Sequence, residues 1–415
     1  MHRRILFVIF IIWTIVIFIV WANGFLVTKP PIVAGEPADL IIENAKIYVP
    51  GAKADALAIR SNRIIAVGSR ADVEKRLGPH TRRLDVKECT VTPGFNDSHV
   101  HFLSGSLGLT YVDLSNAESL ESIELRIRDY AQIHPDQKIV YGRGWVYGAF
   151  PGGLPQKDQL DKLEPVRPTI MKCYDGNTLW VNSAALKAAK ITRDTPNPSN
   201  GEIVKDPDTN EPTGILKESA QDLLNGVIPD PTLSEKLAAM RIGIATAHRF
   251  GVTSAFDADI ELPELEAFEA LRKSGEHSLR FCLALNGKKL RNESDVVQLE
   301  SMRRRFSELN VSAVKLFVDG VVESHTAALL AEYADRPSLG LPKTNQEDLN
   351  RIVEILDKRG WQIIVHAVGD GGIRMTLDAF ERARKLNPNP KQPSRHRIEH
   401  IESISQSDGW GWVVG

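Results

Sequence analysis

Cysteine is scarce in this chain. Cys89, Cys173 and Cys282 are odd in number and far apart. They make neither a disulfide framework nor a CxxC metal site, and they read as small buried hydrophobes. An excess of one charge is also lacking, with 51 basic side chains against 53 acidic ones. No long basic run follows the N-terminus, so no nucleic-acid partner is implied. Internal repeats and low-complexity segments are absent. At 415 residues, the chain can build a large core and more than one domain.

One long hydrophobic run is present, at the start. Arg3 and Arg4 precede Ile5 to Trp21, apolar except for Thr14. Roughly 17 residues is the low end for crossing a bilayer. Residues 1–22 read as an uncleaved signal anchor, or alternatively as a cleaved secretory signal with Val20, Trp21 and Ala22 as an imperfect site. Positive charge stays cytoplasmic. The expectation is therefore a protein tied to the membrane through this segment, with its catalytic domain extracytoplasmic, or else a secreted protein. Residues 23–37, with Pro30, Pro31 and Pro37, read as a linker.

Residues 38–90 carry a β pattern. Asp39 to Val49 reads as one strand region, and Ser61-Asn62 as a hairpin turn between two more strands. Residues 103–232 are richer in Gly, Pro and polar side chains and read as a large, less regular insertion. From Leu233 the rhythm changes. Helices near 233–250, 263–274, 295–309, 346–359 and 372–386 alternate with short apolar strands, and Gly251, Gly275 and Gly360 sit just past helix ends. Such alternation means βα units and parallel pairing. Residues 91–408 therefore read as one barrel-type domain.

The chemistry falls on those strands. His99 and His101 are two apart at a strand end and so share a face. Imidazole pairs suit zinc and its neighbours. Lys315 lies inside an apolar strand, His366 closes Ile363-Ile-Val-His, and His400 closes Arg397-Ile-Glu-His. Strand C-terminal ends converge on one face of a (β/α)8 barrel, where active sites sit.

These residues carry a resemblance. The run Thr92 to His101 is similar to the opening motif of the metal-dependent amidohydrolase superfamily, in the amidohydrolase-3 group that includes N-substituted formamide deformylases. Asp175 to Leu186, Val314 to Ser324, Val365 to Asp370 and Ile398 to Ile401 also resemble its signatures. The resemblance implies a distorted TIM (β/α)8 barrel beside a small β-sandwich module, with a large insertion after strand 1. It implies one or two divalent metal ions, zinc first, held by His99, His101, His366 and His400. Lys315, carboxylated on its amine, would be the bridging ligand. The reaction implied is hydrolysis of a carbon–nitrogen bond in a small amide-type substrate. Trp145, Asp175, Asn177 and Trp180 are candidates to line its pocket. Asn177 stands where the family usually has histidine, and asparagine cannot shuttle a proton near neutral pH.

Two features point the other way. About six barrel strands are accounted for, and no counterpart of the family's final aspartate, expected as metal ligand and general base on strand 8, precedes Gly415. The tail 409–415 is atypical. The expectation is an incomplete barrel, which leaves a catalytically inactive form with a binding or regulatory role as the alternative.

Overall fold

The computed structural model describes residues 36–199, 201–322, 325–388 and 394–405. The expected membrane segment and the atypical tail lie outside these residues. Among the described residues no helix is long and apolar enough to cross a membrane. The membrane anchor, the membrane as a partner and the extracytoplasmic placement built on them are therefore withdrawn.

The chain divides into two compact units at Gly94. The first holds two small sheets. One runs Arg63–Gly68, Ala56–Arg60, Leu40–Glu43, Arg82–Asp85, and the other Ala52–Ala54, Lys46–Val49, Thr90–Val91. The single strand expected over 39–49 is two strands. Asn44 between them takes φ +53, which turns the chain from one sheet into the other. Ser61 and Asn62 have φ +45 and +61, the paired positive values of a tight hairpin turn. Ile41, Ala56, Ala58 and Val73 fill this unit's core. Cys89, expected inside, is exposed.

In the second unit, the stretch expected to be irregular forms a mixed six-stranded sheet. Its order is Gly201–Lys205, Pro212–Glu218, Thr178–Val181, Thr169–Cys173, Val140–Trp145, Val112–Asp113. The strands are short and often buried on both faces, so no clean alternation marks them in the sequence. Trp145, Trp180, Ile123 and Leu160 sit at the centre of this sheet's core, with no exposed surface.

The remaining six strands are parallel and lie in chain order: β1 (Phe95–Val100), β2 (Val252–Ile260), β3 (Arg280–Asn286), β4 (Val311–Phe317), β5 (Gln362–Ala367) and β6 (Arg397–His400). Helices α1 (Phe102–Gly108), α2 (Leu233–Arg249), α3 (Leu262–Lys273), α4 (Glu293–Arg305), α5 (Gln346–Lys358) and α6 (Asp370–Leu386) connect them. Thr232 and Glu235 form a reciprocal cap at the start of α2. Gly251, Gly275 and Gly360 take φ of +76, +77 and +71 just after α2, α3 and α5, as the left-handed helix stop requires. Leu265, Leu283, Val314, Val353 and Ile363 belong to one continuous core between strands and helices. The sheet curls so far that its outer strands meet through side chains. Arg397 Nη2 on β6 donates to Ser98 O on β1 at 3.0 Å. The fold is a distorted TIM-type half-barrel, with the C-terminal ends of its strands on one face.

Candidate metal centre

Four of the six strands carry the candidate groups to that face, two of these groups from β1 and the turn after it. His99 is the last residue but one of β1. His101 follows immediately as the N-cap of α1. Asp257 on β2 accepts from Phe102 N at 2.9 Å and so pins the turn that presents His101. Lys315 lies within β4 and is only 1% exposed. His366 is paired with Phe317 on β4 and with Glu399 on β6. His400 ends β6, where its backbone leaves the strand conformation at φ +80. A non-glycine residue in that region is costly and is typical of a functional site.

The rings form a connected series. Ring centroids are 5.8 Å apart for His99 and His101, 5.2 Å for His99 and His400, and 4.5 Å for His366 and His400. Two outward hydrogen bonds orient them. His99 Nδ1 bonds Glu399 Oε2, and His366 Nε2 donates to Gly320 O at 2.9 Å. The second ring nitrogen of each is left for another partner.

Burial and like-charged neighbours disfavour the charged form of three of the four rings. Desolvation lowers the pKa of His101 and of His366. His400 falls to about 4, through desolvation first and then through repulsion from His366, Lys315 and His99. Burial lowers the Lys315 ammonium, and Glu399 and Asp259 oppose that shift. Burial pushes the Glu399 carboxyl up, but the His99 hydrogen bond and the Arg397 charge outweigh it and leave the group below the usual carboxylate range. Among the described residues, Lys315 Nζ has no hydrogen-bond acceptor and no ion-pair partner; its contact is the Phe317 ring at 5.4 Å. A buried ammonium so placed is expensive unless it loses its proton or gains an anionic partner.

Do these residues suit a metal? A metal–nitrogen bond of about 2.0–2.1 Å puts the ring centroids of two tetrahedral ligands roughly 5 Å apart. The observed spacings lie around that value, and neutral imidazoles offer the lone pairs that binding needs. As placed, no three His, Cys, Asp or Glu side chains among the described residues form a ready-made cage. The donor chemistry and ring spacing fit a metal, and the nitrogens would have to turn by rotamer to converge on one.

The other expected site residues are placed differently. Trp145 and Trp180 are wholly buried, and their indole N–H groups donate to Met171 O at 2.8 Å and Gln156 O at 3.0 Å. Asp175 and Asn177 line a surface groove with Tyr147, whose hydroxyl donates to Asp175 Oδ2 at 3.1 Å. His396 is buried against Asp357. Reading only the histidines missed Glu399, although Arg397 and Glu399 share a strand face by simple alternation. It also missed Asp257, an acidic residue inside an apolar strand, and Asp319. Both are buried.

A model of the amidohydrolase family matches residues 83–408. The chain is 30% identical over 392 residues to the Arabidopsis thaliana protein LONG AFTER FAR-RED 3, covering 91% of this chain and 66% of that one. It is 30% identical over 365 residues to the putative amidohydrolase YtcJ of Bacillus subtilis, covering 85% and 66%. It is 26% identical over 370 residues to the N-substituted formamide deformylase of Arthrobacter pascens, covering 84% and 66%. The chain thus spans about two thirds of the length of these relatives. In fold it is similar to an uncharacterized metal-dependent hydrolase from Pyrococcus horikoshii, with TM-score 0.67 at 24% identity over 89% of this chain and 71% of that one. By the extent of the family match, this chain belongs to the amidohydrolase family.

Proposed function

We propose that this protein is a metal-dependent hydrolase of carbon–nitrogen bonds in small, non-peptide amide-type substrates. The observation that carries the reading is Lys315, buried without an acceptor beside Phe317 and within the electrostatic reach of His400, on a strand face to which four histidines also come. We read residues 38–90 as a small β module and 91–408 as the hydrolase barrel.

His99, His101, His366 and His400 would hold a divalent ion, zinc in the first instance. When bound, such an ion supplies Lewis acidity and lowers the pKa of a bound water to about 7. The chain's own residues do the rest. Burial favours the neutral Lys315 amine. That amine can add carbon dioxide, forming an N–C bond and releasing one proton, and so become an anionic oxygen donor. Glu399 holds the His99 ring through Nδ1, and the Gly320 carbonyl holds His366 through Nε2. Asp319 accepts from Ala328 N, Val368 N and Gly369 N at 2.9–3.0 Å, which fixes the loops beyond β4 and β5 around the site.

The test is metal content of the purified chain, followed by hydrolysis of N-formyl amines and simple amides. About one metal or more per chain, lost in His99→Asn and His366→Asn together with turnover, supports the reading. Substoichiometric metal that these changes do not alter overturns it. Bound metal without turnover favours the non-hydrolytic binding form.

A further inference from the structure

Beside the candidate centre lies a cavity of about 680 Å³, within the size range of small-molecule sites. Its walls are the end of β4, the turn after β3, and the start of α5 with the segment before it. Phe317 belongs to this cavity and also stands 5.8 Å, ring to ring, from His366. One aromatic ring therefore joins the cavity to the Lys315–His366 side of the centre.

The cavity is cationic. Lys288, Arg291, Lys343 and Arg351 line it, against the single carboxylate of Asp348. That carboxylate is already engaged by the Arg351 guanidinium and by Asn345 Nδ2 at 2.8 Å. The ammonium groups of Lys288 and Lys343 lie 4.5 and 5.7 Å from the centre of the Phe317 ring. Lys288 has its nearest carboxylate, Asp259, at 3.7 Å, and Lys343 has no carboxylate partner among the described residues. Like charges gathered on a concave wall repel one another and focus a positive potential into the space between them.

We propose that this cavity selects a substrate bearing a carboxylate. The anion is held by Lys343 and Lys288, the adjoining apolar part rests on Phe317, and the carbon–nitrogen bond points toward Lys315 and His366. A carboxylate suits the site better than a phosphate. Asn345 Oδ1 already accepts from Asp348 N at 2.9 Å, so the start of α5 does not present an open set of backbone donors. The orientation rests on the hydrolase reading; the preference for an anion does not.

Calorimetric titration of the full chain with N-acetylphenylalanine and with its uncharged amide tests this without turnover. The carboxylate should bind about tenfold tighter or more, and added salt should weaken it alone. Lys343→Gln lies on an exposed loop position and Lys288→Gln is also largely exposed, so both variants should fold. Each should erase most of the preference and leave amide binding as it was. Equal binding of the two probes, no binding of the carboxylate, or an unchanged preference in Lys343→Gln would overturn the inference. A metal-loaded protein that hydrolyses neutral amides as fast as carboxylate-bearing ones would sink it while leaving the hydrolase reading intact.

Discussion

Glu399 on β6 is hydrogen-bonded to Nδ1 of His99 on β1, although 300 residues separate them in the chain. The two belong to opposite edges of the six-stranded sheet. The contact is part of what brings the first and last histidines of the cluster onto one face. It also sets which nitrogen of His99 is free.

Replacing Glu399 by Gln keeps the shape and removes the charge that orients His99. Outer partners of this kind are worth about 10–100-fold in metal affinity. Zinc titration against a competing chelator should show a loss of that order in Glu399→Gln, with little change in the unfolding midpoint. Unchanged affinity would mean that the contact does not serve the centre.

His400 predicts an acid-side loss of stability. Its pKa is about 4 in the folded chain against 6.5 unfolded. Between those values the unfolded state binds a proton that the folded state does not. The contribution is complete above pH 6.5 and is lost as pH falls toward about 4. The difference in urea stability between the metal-free protein and His400→Asn across that window should show this slope, which isolates it from groups of opposite sign.

Asp257 predicts the opposite sign. Burial raises its pKa to about 7 from 3.8. The folded state then holds a proton that the unfolded state has released, so the contribution is complete below pH 3.8 and is lost as pH rises through 7. In Asp257→Asn the side-chain oxygen can still accept from Phe102 N. This variant should be at least as stable as the parent at pH 8, and that advantage over the parent should diminish as pH falls from about 7 to 4. A marked loss at pH 8 would show that the carboxylate is needed in its charged form.

Asp319 is fully buried and accepts from three backbone N–H groups. Asp319→Ala leaves these donors unpaired, at about 1–3 kcal/mol each. Denaturant unfolding should show a loss of about 3 kcal/mol or more, and Asp319→Asn a smaller one. A loss below 1 kcal/mol would show that water replaces the carboxylate there.

Trp145 separates core from pocket. Trp145→Ala should cost about 3–5 kcal/mol of stability, as large aromatic deletions do, and should leave metal per folded chain unchanged. An exposed or ligand-lining tryptophan would show little stability loss.

The alternation of strand and helix after Leu233 was legible because each unit repeats one local pattern: an apolar run, a capped helix and a left-handed stop. His99 and His101 were legible by their spacing of two, and His366 because it closes an apolar run. The inserted sheet was not. Its strands are short and buried on both faces, so Thr178 to Val181 shows no period. Trp145 and Trp180 stood near glycine-rich turns and suggested a pocket, and only the sheet order shows them as core.

By itself the sequence determined which side chains end the parallel strands, because strand ends are set by local patterning and side-chain period. Only the tertiary structure decided which of them meet. The curl of the sheet brings His99 to Glu399, the left-handed turn at His400 accompanies the approach of its ring to His366, and the turn after β3 and the segment before α5 meet at the end of β4 to gather Lys288 and Lys343 around Phe317. Those contacts depend on sheet curvature and helix packing summed over many residues, which no local stretch encodes.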